Sequence, residues 1–274
     1  MHPVLAICDT HGFMPGLLGV GPALLLLGFM AVAQTVQTES AANVSMAAPP
    51  SEVLHYRVEW RLIHAGNAKL TWSASHSSGT PGWQANLDLE SVGLVSRLYK
   101  VDDHYSTNLD DRLCTLNLLL KSQEGSRNRE TMVTFDRERK KASYLERDLV
   151  KKTPAQFQEI DIPACVHDVI GGLYHLRTLR LEVGQSTQIP VSDGKKSILA
   201  RVEAQEREVV RTRAGTYKTV RYEAFLFNNV LYRRSGRLFV WLTDDSRKLP
   251  VQARIRLPFY IGTVTLELEK EGKA

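Results

Sequence analysis

The stretch Leu54-His55-Tyr56-Arg57-Val58-Glu59-Trp60 alternates apolar and polar side chains without a break. In an extended chain a period of two sends one set to each face, so the segment reads as a half-buried β-strand. The pattern recurs outward from it. Leu70 to Ser75 follows beyond a turn predicted at Ala65-Gly66-Asn67, and Gln188 to Val191 and Ile198 to Val210 flank Asp193-Gly194. That dipeptide supplies the positive φ angles of a two-residue hairpin. Gly215-Thr216 separates a strand ending near Arg211 from one running Tyr217 to Phe227; Asp244-Asp245-Ser246 separates Leu238 to Thr243 from Val251 to Leu257. The last strand is predicted over Gly262 to Glu269.

One amphipathic helix is expected over about 166–181, where Val166, Val169, Ile170, Leu173, Leu176 and Leu181 recur near a 3.6-residue period behind Pro163. Asp168 stands in its first turn and Gly184 beyond its end. A second, shorter helical turn is read at Val95 to Tyr99. About a dozen strands with one main helix and no strand–helix alternation predict a mainly β fold, a single curved antiparallel sheet closing into a barrel or sandwich.

Ahead of the strands, Leu17 to Ala33 is rich in Leu, Gly, Ala and Val and ends Ala31-Val32-Ala33. Small residues after an apolar run fit a leader peptidase, so residues 1–33 read as a signal peptide and the chain as periplasmic or otherwise exported. Gly16, Gly19, Gly21 and Pro22 interrupt the run, and it falls short of the roughly 20 apolar residues of a membrane span. No span is expected after leader removal. Residues 34–51, rich in Ser, Ala, Thr and Pro, read as a disordered tether. A single β-rich domain is expected over 52–269, with 270–274 as a tail.

The net charge of +5 becomes +6 without the leader, because Asp9 is the one charged residue removed. Acids are interleaved with the bases, as in Arg201 to Arg213, which excludes the basic stripe of a nucleic-acid binder. The same interleaving loads both faces of that strand, Arg201, Glu203 and Arg207 on one and Glu206 and Glu208 on the other. Lipid-facing strands of a membrane barrel do not tolerate this. Of three cysteines, Cys8 leaves with the leader. Cys114 and Cys165 remain as an even pair in an oxidising compartment, so a disulfide is expected, closing about 50 residues for ~4 kcal/mol on the chain-entropy estimate.

Several short motifs occur in order: Ala65-Gly66-x-Ala68; Glu124-Gly125 with Phe135-Asp136; Asp168 through Leu173-Tyr174-x-Leu176-Arg177; Gly215-Thr216-Tyr217; and Trp241-Leu242-Thr243-Asp244-Asp245 with Pro250. Together they resemble the exported bacterial family known as domain of unknown function 3108, over most of Glu52 to Glu269. Gly171-Gly172 departs from the Ser-bearing helix expected there. The resemblance implies a β-rich envelope protein and carries over no catalytic residue.

Direct search finds no Gly-x-Ser-x-Gly elbow, no Gly-rich phosphate loop and no His-Glu-x-x-His. Neither a cofactor nor a metal is expected. In Asp102-Asp103-His104 only Asp102 and His104 share a strand face, and His167 and His175 lie eight apart rather than four. The candidate ligand-binding residues are Arg177, Asp244, Asp245 and Trp241. Arg177 adjoins the apolar helix stripe and is expected to pair with Asp244 or Asp245, which also suit a turn. Tyr56, Trp60, Trp72, Trp83 and Trp241 are expected mostly in the core. The function read from this pattern is a non-catalytic binding or chaperone-like module for an apolar envelope ligand such as a lipid. The alternatives are a structural or assembly protein of the envelope and an enzyme with an unrecognised site. A continuous apolar cavity distinguishes the first, a filled core the second, and a cleft gathering Asp244, Asp245, Arg177 and a histidine the third.

Overall fold

Strand β1 (Glu52–Trp60) carries the alternating segment, with Leu54, Tyr56 and Val58 buried. The computed structural model describes residues 49–77, 80–151 and 153–272. The expected signal peptide, and the expected tether up to residue 48, lie outside these. The other elements are β2 (Ile63–Ser77), β3 (Thr80–Ser91), α1 (Gly93–Leu98), β4 (Val101–Asp110), β5 (Thr115–Glu124), β6 (Arg127–Asp136), β7 (Lys141–Asp148) and β8 (Gln156–Asp161). After them come α2 (Val169–Thr178), β9 (Ser186–Ser192), β10 (Ser197–Thr212), β11 (Gly215–Ala224), β12 (Arg237–Thr243), β13 (Pro250–Arg256) and β14 (Thr263–Gly272). All fourteen strands form one antiparallel sheet in the order β8-β7-β6-β5-β4-β3-β2-β1-β14-β13-β12-β11-β10-β9. The first strand pairs the last, and β14 continues through Gly272 opposite Val53.

The sheet curls until its two edges meet without a continuous ladder. Gln158 on β8 donates to the Lys195 carbonyl (3.2 Å), and Lys195 lies 3.8 Å from Glu146 on β7. The segment before α2 spans the remaining gap: the Thr115 amide donates to the Val166 carbonyl, the His167 amide to Pro190, and the Ser192 amide to His167. The expected disulfide is present between Cys114 and Cys165 and pins this segment to β5.

Those bonds explain why α2 is shorter than its apolar period. Val166 and His167 are held as strand-like backbone, and the helix starts where buried Asp168 caps it, its Oδ1 accepting from the Gly171 amide (2.8 Å). Asp168 Oδ2 accepts from Thr107 and from Thr115 Oγ1 (3.1 Å). A Cβ on Gly171 would stand 2.7 Å from Leu109 Cδ2. Glycine is what allows the helix so close to the sheet.

α2 lies across two parts of the core. Tyr174 stacks on Trp72 (centroids 3.7 Å apart), and Trp72 on Trp83 (5.0 Å), within the cluster built from β1–β4 and β12–β14 with Val210 of β10. Leu176 and Leu179 join the cluster of β9–β12. Tyr56, Trp72 and Trp241 are buried, while Trp60 and Trp83 are partly so.

Three predicted turns move, one of them the Gly215-Thr216 break: both residues pair in β11, opposite Thr212 and Arg211, and the chain turns at Arg213-Ala214. The first hairpin turns at Arg61-Leu62, both at positive φ (49° and 68°), and not at Ala65-Gly66-Asn67. Gly66 sits inside β2, where a Cβ would come 2.3 Å from the Glu90 carbonyl oxygen. Its missing side chain serves close strand approach, not chain reversal. The β9–β10 connection has four residues, since Ser192 pairs with Ser197. Asp193 Oδ1 accepts from the amides of both Lys195 and Lys196 (2.8 Å each), and that cap stabilises the longer loop. The turn at Asp244-Asp245-Ser246 is where the sequence puts it.

Candidate functional site

Arg177, in the last turn of α2, is buried at 3% exposure. Its partner is Glu52 at the start of β1, not Asp244 or Asp245. Nη1 donates to Glu52 Oε1, and Nη2 to Glu52 Oε2 (3.1 Å) and to the Arg247 carbonyl (3.2 Å). The guanidinium lies 4.8 Å from the Tyr174 ring centroid, and Tyr174 Oη donates to Glu52 Oε1 (2.8 Å). Burial, with Glu52 adding to it, holds the Tyr174 phenol well above its usual range. Trp72 Nε1 donates to the Pro49 carbonyl (3.1 Å). The cluster therefore ties α2 to the point where the chain enters the sheet. Nothing local in the sequence marks Glu52 as the partner, because it lies 125 residues from Arg177.

Asp244 and Asp245 line a groove of about 290 Å³ with Arg180, Glu182, Arg207 and Lys248. Arg207 bridges the groove, its Nε on Asp244 Oδ2 (2.9 Å) and its Nη2 on Glu182 Oε2 (3.0 Å). Asp245 Oδ1 accepts from Thr243 Oγ1 (2.7 Å) and from the amides of Arg247 (3.0 Å) and Lys248 (3.1 Å). It caps its own turn. Lys248 Nζ donates to the Leu179 carbonyl, and burial lowers its pKa, with the charge of Arg180 acting the same way. Neither Arg177 nor a histidine lines this groove. Trp241, on β12, is buried at 3% with Nε1 donating to Glu208 Oε1 (2.6 Å) and Arg254 over its ring at 5.0 Å.

The remaining polar groupings are also placed. His167 and His175 stack at 4.4 Å, and His167 Nδ1 lies 2.7 Å from the Leu113 carbonyl oxygen. Burial, then the neighbouring His167, brings the His175 pKa down to about 4, and burial also lowers that of His167. On β4, Asp102 and His104 face outward, and His104 pairs with Asp88 across the ladder. Asp103 faces inward at 2% exposure. Its Oδ1 accepts from the Gln123 amide (3.0 Å), while burial, then the neighbouring Glu124, pushes its pKa up to about 8. Period-two parity with buried Val101 is the signal that finds it. Among the described residues, no group of three or more His, Cys, Asp or Glu could hold a metal ion, and no helix is long and apolar enough to cross a membrane.

A second groove, of about 590 Å³, is lined by the β11–β12 connection and by Glu203, Gln205, Glu223 and Arg237. Glu223 receives both Arg237 (2.7 and 2.6 Å) and Gln205 (2.6 Å). Hydrogen bonding from Arg237 is the main cause lowering its pKa. In both grooves the carboxylates are held by neighbouring side chains or backbone amides.

Among solved structures, the fold is similar to a β-barrel-like protein of domain of unknown function DUF1849 from Brucella abortus, at 9% identity and a TM-score of 0.54, over 82% of this chain and 98% of that one. Weaker likenesses are a Bacteroides fragilis protein with a YmcC-like fold, described as exported (7% identity, TM-score 0.36, 84% and 100% covered), and a Parabacteroides distasonis protein described as a lipoprotein (9%, 0.36, 84% and 99%). No curated protein matches. The family model for the protein of unknown function DUF3108 matches residues 55–269, and the chain belongs to that family.

Proposed function

We propose that this protein is an exported, non-catalytic structural or assembly protein of the cell envelope, which meets an apolar envelope component such as a lipid with the outside of its barrel. The observation that carries this reading is the filled interior. Leu54, Trp72, Leu109, Tyr174 and Leu268 are each no more than 2% exposed and belong to one packed cluster spanning β1, β2, β4, α2 and β14. A carrier that encloses an acyl chain keeps an apolar cavity for it. Here both grooves open on the surface; paired charged side chains line most of the first, and the second sets Phe225, Phe227 and Val230 beside the paired Glu223 and Arg237. Acid–base or nucleophilic chemistry needs its groups within hydrogen-bond reach of one reacting atom. Asp244 and Asp245 share one groove, but neither Arg177 nor a histidine lines it, and each of these groups has a partner of its own.

Native mass spectrometry of protein taken from its own envelope, followed by solvent extraction, tests the reading. The expected result is the bare mass of the chain, with envelope cross-links confined to the outer surface. One lipid per chain that survives extensive washing, or turnover of an envelope component by the purified protein, overturns it.

A further inference from the structure

In the eight neighbouring strands from β4 through β1 and β14 to β11 the chain runs up and down, so alternate connections gather at the same end. One end carries the connections 61–62, 92–100, 225–236 and 257–262. They contain Arg61, Arg97, Lys100, Arg233 and Arg234 and no Asp or Glu. They also hold Leu62 at 92% exposure, Phe259 at 95% and Tyr260 at 77%, with Leu94 and Leu98 of α1 exposed beside them. The other end of the same strands differs. Among the described residues its connections 111–114, 213–214 and 244–249 include Asp111, Asp244 and Asp245, and their two large aliphatics, Leu113 and Leu249, are buried.

The exposed side chains stand on a built platform. Arg61 Nη2 donates to the carbonyls of Phe259 and Tyr260 (2.8 Å each), and Trp60 Nε1 to Ile261 (2.7 Å). Within the second tip the Ile261 and Gly262 amides donate to the Pro258 carbonyl. These bonds lock the β1–β2 and β13–β14 tips together, although Phe259 and Tyr260 touch water. The Val92 amide donates to the Ala65 carbonyl, which sets α1 next to the first tip. Ordering exposed aromatics this way gives a lone soluble domain nothing, because an apolar patch in water is a cost. Aromatic and aliphatic tips whose connections carry cations and no acid, with Lys100 3.9 Å from Asp102 near the start of β4, match a surface of anionic headgroups over acyl chains: the rings insert at the boundary and the cations remain among the phosphates.

We propose that this rim docks the barrel end-on to an anionic lipid bilayer. The proposal rests on the surface-binding reading above and names the surface and its partner. Cosedimentation with vesicles of phosphatidylglycerol and phosphatidylcholine, against vesicles of phosphatidylcholine alone, tests it. The wild type is expected to partition to the anionic vesicles, less so as salt is raised. The double variant Leu62→Ser/Phe259→Ser is expected to lose roughly tenfold to a hundredfold in partitioning while melting as the wild type does, since both side chains are almost wholly exposed. Val209→Ser, at an exposed position on β10 away from the rim, is expected to bind as the wild type. Undiminished binding by the double variant, or equal loss in Val209→Ser, overturns the proposal. So does a wild type that binds neither vesicle, or a wild-type dimer that the double variant converts to monomer with no vesicle binding. In those cases the cross-links still decide the surface-binding reading separately.

Discussion

Replacing Arg177 by Met removes the guanidinium from a site that is 97% shielded and leaves Glu52, 12% exposed at its side chain, with Tyr174 Oη as the donor retained from the cluster. The perturbation deletes two charge-assisted hydrogen bonds to Glu52, one to the Arg247 carbonyl and the contact with the Tyr174 ring. Breaking a buried pair by removing one partner costs about 3–5 kcal/mol, much of it the penalty of the carboxylate left behind. For a domain of this size that is a fall in Tm of roughly 6–20 °C. The assay is chemical and thermal unfolding of four proteins: wild type, Arg177→Met, Glu52→Gln and the double variant. Because the double variant leaves no unpaired charge, it should recover part of the loss, with a coupling of about 1–3 kcal/mol. Asp244→Asn and Asp245→Asn should show no coupling to Arg177→Met. Additive losses with Glu52→Gln, or coupling to either aspartate, would refute the structural pairing.

Cysteine pairing and buried acid give two more tests. Reducing the Cys114–Cys165 bond, or replacing both cysteines by Ser, should destabilise the fold by about 2–4 kcal/mol, since the bridge closes a separation of 51 residues; an unchanged denaturation midpoint under reductant contradicts this. Asp103 has its pKa raised from 3.8 to about 8. Between those values the folded protein holds a proton that the unfolded chain has released, so the Asp103 contribution to stability should fall as pH rises from about 4 to 8, by up to about 1.4 kcal/mol per unit. Asp168 and Asp193, also raised by burial, add slopes of the same sign, whereas His167 and His175, lowered by burial, add slopes of the opposite sign below about pH 6.5, so the readout is the difference between wild type and Asp103→Asn. The variant should be the more stable near pH 8, and identical pH profiles would rule Asp103 out.

The alternation of Leu54 to Trp60, the recurring breaks at Gly and Asp pairs, and the apolar period before Gly184 were enough to determine a mainly β chain with one principal helix. These are local properties, written into neighbouring side chains. The even count of two cysteines left by the expected leader likewise predicted the bridge, since pairing needs only a count when two remain. What the sequence could not determine is which end of a local signal prevails. Val166 and His167 fit the helix period, yet the open gap between β5 and β9 claims their backbone for strand-like bonds. Gly66 looks like a turn residue, yet Arg61-Leu62 turns the chain because strand register puts Gly66 under the Glu90 carbonyl. The partner of Arg177 was hidden for the same reason. Only the closing of β1 against β14 and the seating of α2 bring Glu52 to it, and that proximity is a property of the whole sheet. The exposed tip residues show the converse: Leu62 and Phe259 lie far apart in the chain, and only the up-and-down order of strands gathers them at one end, on connections that hold no Asp or Glu.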